Sequence, residues 1–286
     1  MCSVGSFFLS SFPPSCFVFP SMKQTMLAVL AVLAALGMCR ATKFNGMVYT
    51  SWSLSDYSSP VSDASLQALA AMSVDTIELL VTWYQDQISS TSIAPGSYSP
   101  TDASLVHAIQ TASSLGMRVI LKPHVDCACG TWRGEIGTQF TSEAEWSAWF
   151  QSYTAYIVAM AQLSQQNGVA LFNIGTELTA TTNRTSDWLN VIAAVRSVFT
   201  GPLTYGANWG EEPLQIQFWS ALDYIGIDAY YPLATVPDPA YSVIVANWAP
   251  IIAVMADLAS YWNRSIIFTE IGYRSYALAA VEPFSV

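Results

Sequence analysis

The feature that most narrows the fold is an alternation that begins at residue 44. Short apolar runs rich in β-branched and aromatic residues take turns with longer stretches of helical periodicity. Seven runs read as strands: Phe44–Trp52, Asp75–Trp83, Met117–His124, Val169–Glu177, Pro202–Trp209, Tyr224–Tyr231 and Ser265–Gly272. Helical patterns cover Asp63–Met72, Thr101–Leu115, Ser142–Gln166, Ser186–Phe199, Glu212–Ala221 and Val243–Trp262. The punctuation agrees. Gly116 caps the second helix, Ser142 and Glu145 have capping-box spacing, and Asn167-Gly168 closes the third.

Strands that are apolar almost throughout, each followed by a helix, must lie parallel and be covered on both faces. Seven such units predict a (β/α)8 barrel of the TIM type. A doubly wound dinucleotide fold is disfavoured, because no Gly-x-Gly-x-x-Gly turn follows the first strand. No internal repeat or Pro/Gly-rich linker divides residues 42–286, so they are expected to form one domain. The eighth unit has no counterpart. Residues 276–286 are too few for a helix and a strand, so the expectation is a barrel lacking its eighth β/α unit, truncated at the C-terminus or open at a seam.

Residues 1–41 read as an N-terminal extension and a leader. Lys23, the apolar run Met26–Met38 and Ala41 have the order of a secretory signal peptide spanning about 22–41. The run is short for a spanning helix, and an uncleaved membrane anchor is the alternative. Exported and cleaved, the domain would be extracellular and free of the membrane, with Asn183-Arg-Thr and Asn263-Arg-Ser as glycan acceptors. Of the five Cys, only Cys127 and Cys129 fall outside this leader. Their spacing suits a local disulfide or two free thiols and is too poor in ligands for a structural zinc. With His107 and His124 as the only histidines, no metal or cofactor is expected.

The formal net charge is −10 and only 10 Lys and Arg are present, so the chain lacks the basic footprint that nucleic acid requires. Ten Trp and 14 Tyr instead offer aromatic faces suited to sugars.

Active sites of such barrels form at the carboxyl ends of the strands. There stand Trp52, Trp83, Lys122, His124, Asp126, Glu177, Asn208, Trp209, Asp228, Tyr230, Tyr231, Glu270, Tyr273 and Arg274. Glu177 and Glu270 each follow an apolar run, where a charge is costly without partners. The fourth and seventh strands are expected to face each other across the barrel mouth. Two opposed carboxylates in an aromatic-lined pocket, about 5–5.5 Å apart, are what retaining glycoside hydrolysis needs. Either Glu alone reads equally as a solvated strand end or half of an ion pair; the pair favours chemistry.

The neighbouring segments carry a resemblance. VILKPHVD (Val119–Asp126), FNIGTEL (Phe172–Leu178), YIGIDAYYPL (Tyr224–Leu233) and IIFTEIGYRS (Ile266–Ser275), with VTWYQD (Val81–Asp86) and TWRGEI (Thr131–Ile136), together resemble glycoside hydrolase family 113. The resemblance spans about residues 44–275. It implies a retaining (β/α)8 glycosidase, in a family known chiefly for β-1,4-mannanase activity, acting on a polysaccharide or oligosaccharide. It also implies Glu177 as general acid/base and Glu270 as nucleophile.

That mechanism requires Glu177 protonated and Glu270 ionised when substrate arrives, with Arg274, Tyr230 or Tyr231 as candidate donors to Glu270. Trp83, Trp132 and Trp209 are stacking platforms or core residues. His124 and Asn208 are partners for sugar hydroxyls, or a packed strand end and a loop cap. Lys122 is a binding residue or an interior ion-pair partner. Two departures stand out. Thr176 occupies the position where the clan usually has the Asn that meets the sugar 2-hydroxyl, and the Trp that ends the clan's eighth strand has no counterpart. An inactive or carbohydrate-binding relative, and a cellulase or xylanase of the same clan, therefore stay open. Nothing in the sequence sets an oligomeric state.

Overall fold

The computed structural model describes residues 43–285; the expected leader lies outside the described residues. All seven apolar runs form strands: β1 (Gly46–Tyr49), β2 (Thr76–Gln85), β3 (Arg118–Cys127), β4 (Leu171–Thr176), β5 (Leu203–Asn208), β6 (Tyr224–Asp228) and β7 (Ser265–Glu270). They pair in chain order, every pair parallel. A two-residue segment, Ala94–Pro95, adds antiparallel to β2. The helices are α1 (Pro60–Ala71), α2 (Asp102–Ser114), α3 (Glu143–Gln166), α4 (Thr185–Arg196), α5 (Glu212–Gln215) and α6 (Tyr241–Trp262).

Local chemistry explains where the helices start. Ser59 accepts the Ser62 N–H at the head of α1, where Pro60 fills a position that needs no donor. Thr101 does the same for Ser104 in α2, and Ser142 with Glu145 completes a capping box on α3. The helix expected over 212–221 is broken. Ile216 turns extended after α5, and a single 3₁₀ turn at Trp219–Ala221 follows. This break lets Ile216, Phe218 and Trp219 all bury completely.

Between the sheet and its helices lies a core whose largest members are aromatic, with Trp149, Trp188, Trp219, Tyr153, Tyr156 and Tyr205 fully buried. The phenols reach partners, as buried hydroxyls must: Tyr153 donates to the Ile174 carbonyl and Tyr156 to that of Val81, each at 2.7 Å. Gly175 is required here, because a Cβ on it would collide with Tyr153, Trp188 and Tyr205.

The sheet curls. Lys122 on β3 meets Asp228 on β6 and Glu270 on β7, so strands three and four places apart touch across the interior. The curl does not close among the described residues: β1 pairs only with β2 and β7 only with β6. The seam expected from the sequence is therefore present, and it is exposed. Only Met255 and Leu258 of α6 are buried. By length and composition this helix alone, among those described, is long and apolar enough to cross a membrane. Here its Trp248 packs near Phe268 of β7, ring centroids 6.2 Å apart.

Candidate active site

A cavity of about 910 Å³ opens at the carboxyl ends of the strands, and both Glu177 and Glu270 line it. Glu177 is the first residue after β4 and takes a left-handed φ of 48°. Its N–H donates to the Gly206 carbonyl at 2.8 Å. Its Oε2 accepts from the Trp132 indole at 3.3 Å and from Arg133 at 3.5 Å. Arg133 is fixed by Asp126, whose Oδ1 accepts from Nε at 2.7 Å. The turn after β3 therefore delivers two donors to one carboxylate oxygen.

Glu270 is held differently. Its Oε1 accepts from the Lys122 ammonium at 2.6 Å and its Oε2 from the Tyr230 hydroxyl at 2.7 Å. Burial works to raise this carboxyl, but the charge and hydrogen bond of Lys122, the Tyr230 bond and the Arg133 charge outweigh it and hold it below the ordinary value. Lys122 is fully buried and also meets Asp228 at 2.7 Å and Glu78 at 3.6 Å. One ammonium cannot neutralise three buried carboxylates. Burial raises the Glu78 carboxyl to about 8 and pushes Asp228 well up, so the protons gather on those two and the lysine's charge serves Glu270.

His124 stands 3.9 Å from Glu270 and is 3% exposed. Both ring nitrogens lack a protein partner among the described residues. Burial, then the charges of Arg133 and Lys122, drive its pKa well below the ordinary histidine value. A neutral imidazole on a cavity wall with both nitrogens free can donate one hydrogen bond to a ligand and accept another.

Of the residues expected at the site, His124, Trp132, Asn208, Trp209, Tyr230 and Arg274 line this cavity with the two glutamates. Three are placed elsewhere. Trp83 stacks on Tyr156, centroids 4.4 Å apart, because the helix layer covers it. Lys122 is sealed in the interior and reaches Glu270 rather than a ligand. Tyr231 points between Trp209 and Trp248. Among the candidate donors to Glu270, Tyr230 makes the bond, while Arg274 donates to the Ser285 carbonyl. Thr176 is buried, and its hydroxyl has no protein partner among the described residues.

Other lining residues escaped the strand-end reading. Arg133 opens a 3₁₀ turn beyond β3, and its only signal was its place in TWRGEI. Phe284 lies in the C-terminal segment, where it stacks on Trp209 at 5.5 Å. Cys127 and Cys129 form a disulfide, which decides between the two readings of that pair. Among the described residues no cluster of His, Cys, Asp and Glu is arranged to hold a metal.

Comparison with known proteins places the chain in a family. The profile of Glycoside Hydrolase Family 113 matches residues 48–285, and the chain belongs to that family. A GH113 β-1,4-mannanase complex superposes with a TM-score of 0.75 at 25% identity, covering 84% of this chain and 76% of that one. The GH113 β-mannanase from Alicyclobacillus acidocaldarius in complex with ManMIm gives 0.74 at 28% identity, covering 84% and 74%. A β-glucuronidase from Ruminococcus gnavus, at 0.54 and 13% identity over 82% of this chain and 36% of its own, shares the fold alone. No curated protein matches the chain.

Proposed function

We propose that this member of a glycoside hydrolase family is a retaining β-glycanase whose substrate is a β-1,4-mannan or its oligosaccharides. The observation that carries the reading is the unlike treatment of two carboxylates in one cavity. Glu270 is kept ionised by Lys122 and Tyr230, as a nucleophile must be. Glu177 lines the same cavity and is held only by the longer contacts from Trp132 and Arg133, so its carboxyl faces the space a glycosidic oxygen would occupy.

In the first step a Glu270 oxygen attacks the anomeric carbon while the glycosidic C–O bond breaks. The Glu177 proton passes to the departing oxygen. In the second step water attacks the glycosyl–Glu270 ester, Glu177 takes the water's proton, and Glu270 leaves as carboxylate, so the configuration is retained. Trp132 and Trp209 supply stacking surfaces, and His124 and Asn208 bind hydroxyls. The mannan preference is supported by the two mannanase neighbours.

The test is hydrolysis of a mannan oligosaccharide with the product anomer followed by NMR. Glu270→Ala is expected to abolish turnover and keep binding. Glu177→Ala is expected to lose on the order of a hundredfold to ten-thousandfold with poor leaving groups and far less with activated aryl glycosides. An inverted product, or turnover surviving in Glu270→Ala, would overturn the reading.

Export through the 22–41 segment belongs to the same proposal. The Cys127–Cys129 disulfide and the exposure of Asn183 and Asn263 support it. Protein collected from the medium is expected to begin just after Ala41, and an intact N-terminus retained in membranes would argue for an anchor.

A further inference from the structure

Close to Glu177 lies a second buried carboxylate that the chemistry above leaves unused. Glu212 opens α5, in the loop after β5, and is 3% exposed. Its Oε1 accepts from the Tyr205 hydroxyl at 2.8 Å. Its Oε2 accepts from the backbone N–H of Asn208 at 2.6 Å and from the Thr179 hydroxyl at 3.0 Å. The Tyr205 oxygen in turn accepts the N–H of Leu178 at 2.8 Å. One carboxylate and one phenol thus tie the residues that follow Glu177 to the backbone that carries Asn208 and Trp209.

The backbone at Glu177 needs such a tie. A left-handed φ costs a residue with a side chain roughly 1–2 kcal/mol, and it persists only where the surroundings over-determine it. Two backbone donors are pinned at that spot: Glu177 N–H to Gly206 and Leu178 N–H to Tyr205. Stability alone is a poor reason for the arrangement, since burying a carboxylate is costly and burial raises the Glu212 carboxyl to about 7. All three of its partners donate, and the Asn208 N–H can do nothing else, so the network is complete only around an unprotonated Oε2.

We infer that Glu212 and Tyr205 form a clamp that positions Glu177 for proton transfer and fixes the Asn208–Trp209 wall of the cavity relative to it. Glu212 and Tyr205 are positioning residues: neither lines the cavity, and both act through the backbone on either side of it. The inference rests on Glu177 being the acid/base.

The experiment measures kcat and KM for aryl β-mannobiosides whose phenols span a range of acidity, on the intact protein and on Glu177→Ala, Glu212→Gln and Tyr205→Phe. Glu212→Gln keeps the size of the side chain but sets an NH2 group against one of the donors. Tyr205→Phe keeps the ring in its packing and removes one oxygen, so it reads the clamp even if the first variant folds poorly. Both clamp variants are expected to lose on the order of tenfold to a hundredfold in kcat on the least acidic phenol. They should lose little on the most acidic one, with KM nearly unchanged. Equal losses on all phenols, while Glu177→Ala shows the leaving-group dependence, would overturn the clamp and leave the acid/base assignment standing. No such dependence in Glu177→Ala would overturn that assignment and the clamp with it.

Discussion

Met47 on β1 and Ile77 on β2 are register partners of similar apolar character, yet Met47 is 48% exposed and Ile77 is 0% exposed. The same contrast holds at the other edge, where Phe268 on β7 is 40% exposed and its partner Ile227 on β6 only 1%. Strands β2 to β6 are buried at nearly every position; β1 is buried at none. Residue type does not separate these regions. What separates them, among the described residues, is whether a strand pairs on both sides or on one. The middle of the sheet also buries charge, with Lys122 between Glu78 and Asp228, and from the edge strand β7 Glu270 joins them.

That contrast can be broken at several points. The largest effect is expected from Lys122→Met, which removes the buried cation that Glu270 faces and the donor that Asp228 meets. It should cost about 3–5 kcal/mol in urea unfolding and, by letting Glu270 take a proton, abolish turnover at neutral pH. A stable, active Lys122→Met protein would show that the middle does not depend on its charges.

Next comes the register pair itself. Ile77→Ala should cost about 2–5 kcal/mol and Met47→Ala within about 0.5 kcal/mol, read by the same unfolding curves. Equal costs would mean that the seam is covered in solution, by association or otherwise, as unpaired edges invite.

A smaller effect concerns pH. Glu78 has its carboxyl raised from 4.5 to about 8, so the folded state holds a proton that the unfolded chain releases. The stability this provides is complete below 4.5 and is lost as the pH climbs through about 8. As the pH climbs toward about 8, His124, neutral in the folded state, is common to both chains and cancels in the difference. In that range the melting temperature of Glu78→Gln should fall less with rising pH than that of the parent. Glu212 is common to both chains and cancels in the difference. Parallel curves would refute the buried proton.

Much of the middle was legible because apolar strands and capped helices are local patterns. The two glutamates were legible because each follows an apolar run. The partners of those glutamates were not. Glu78 reads as an interruption in DTIELLVTW, and only the pairing of β2 with β3 brings Lys122, two register positions along, beside it. Glu212 reads as an ordinary first-turn acid of a helix, while its partners Tyr205 and Thr179 sit 7 and 33 residues away. Tyr230 and Tyr231 are adjacent and chemically alike. Backbone direction at the end of β6 sends one hydroxyl to Glu270 and the other ring between two tryptophans.

The left-handed backbone at Glu177 has a consequence for how such a site is lost or kept. Glycine adopts that conformation freely and asparagine with less strain than most residues, so either would relax the chain where it leaves β4. A lineage released from selection for activity would therefore drift toward them, growing more stable as its carboxylate disappeared. Under the proposed acid/base role, the strained backbone at 177 is what it takes to aim a carboxylate into the cavity as the chain leaves β4.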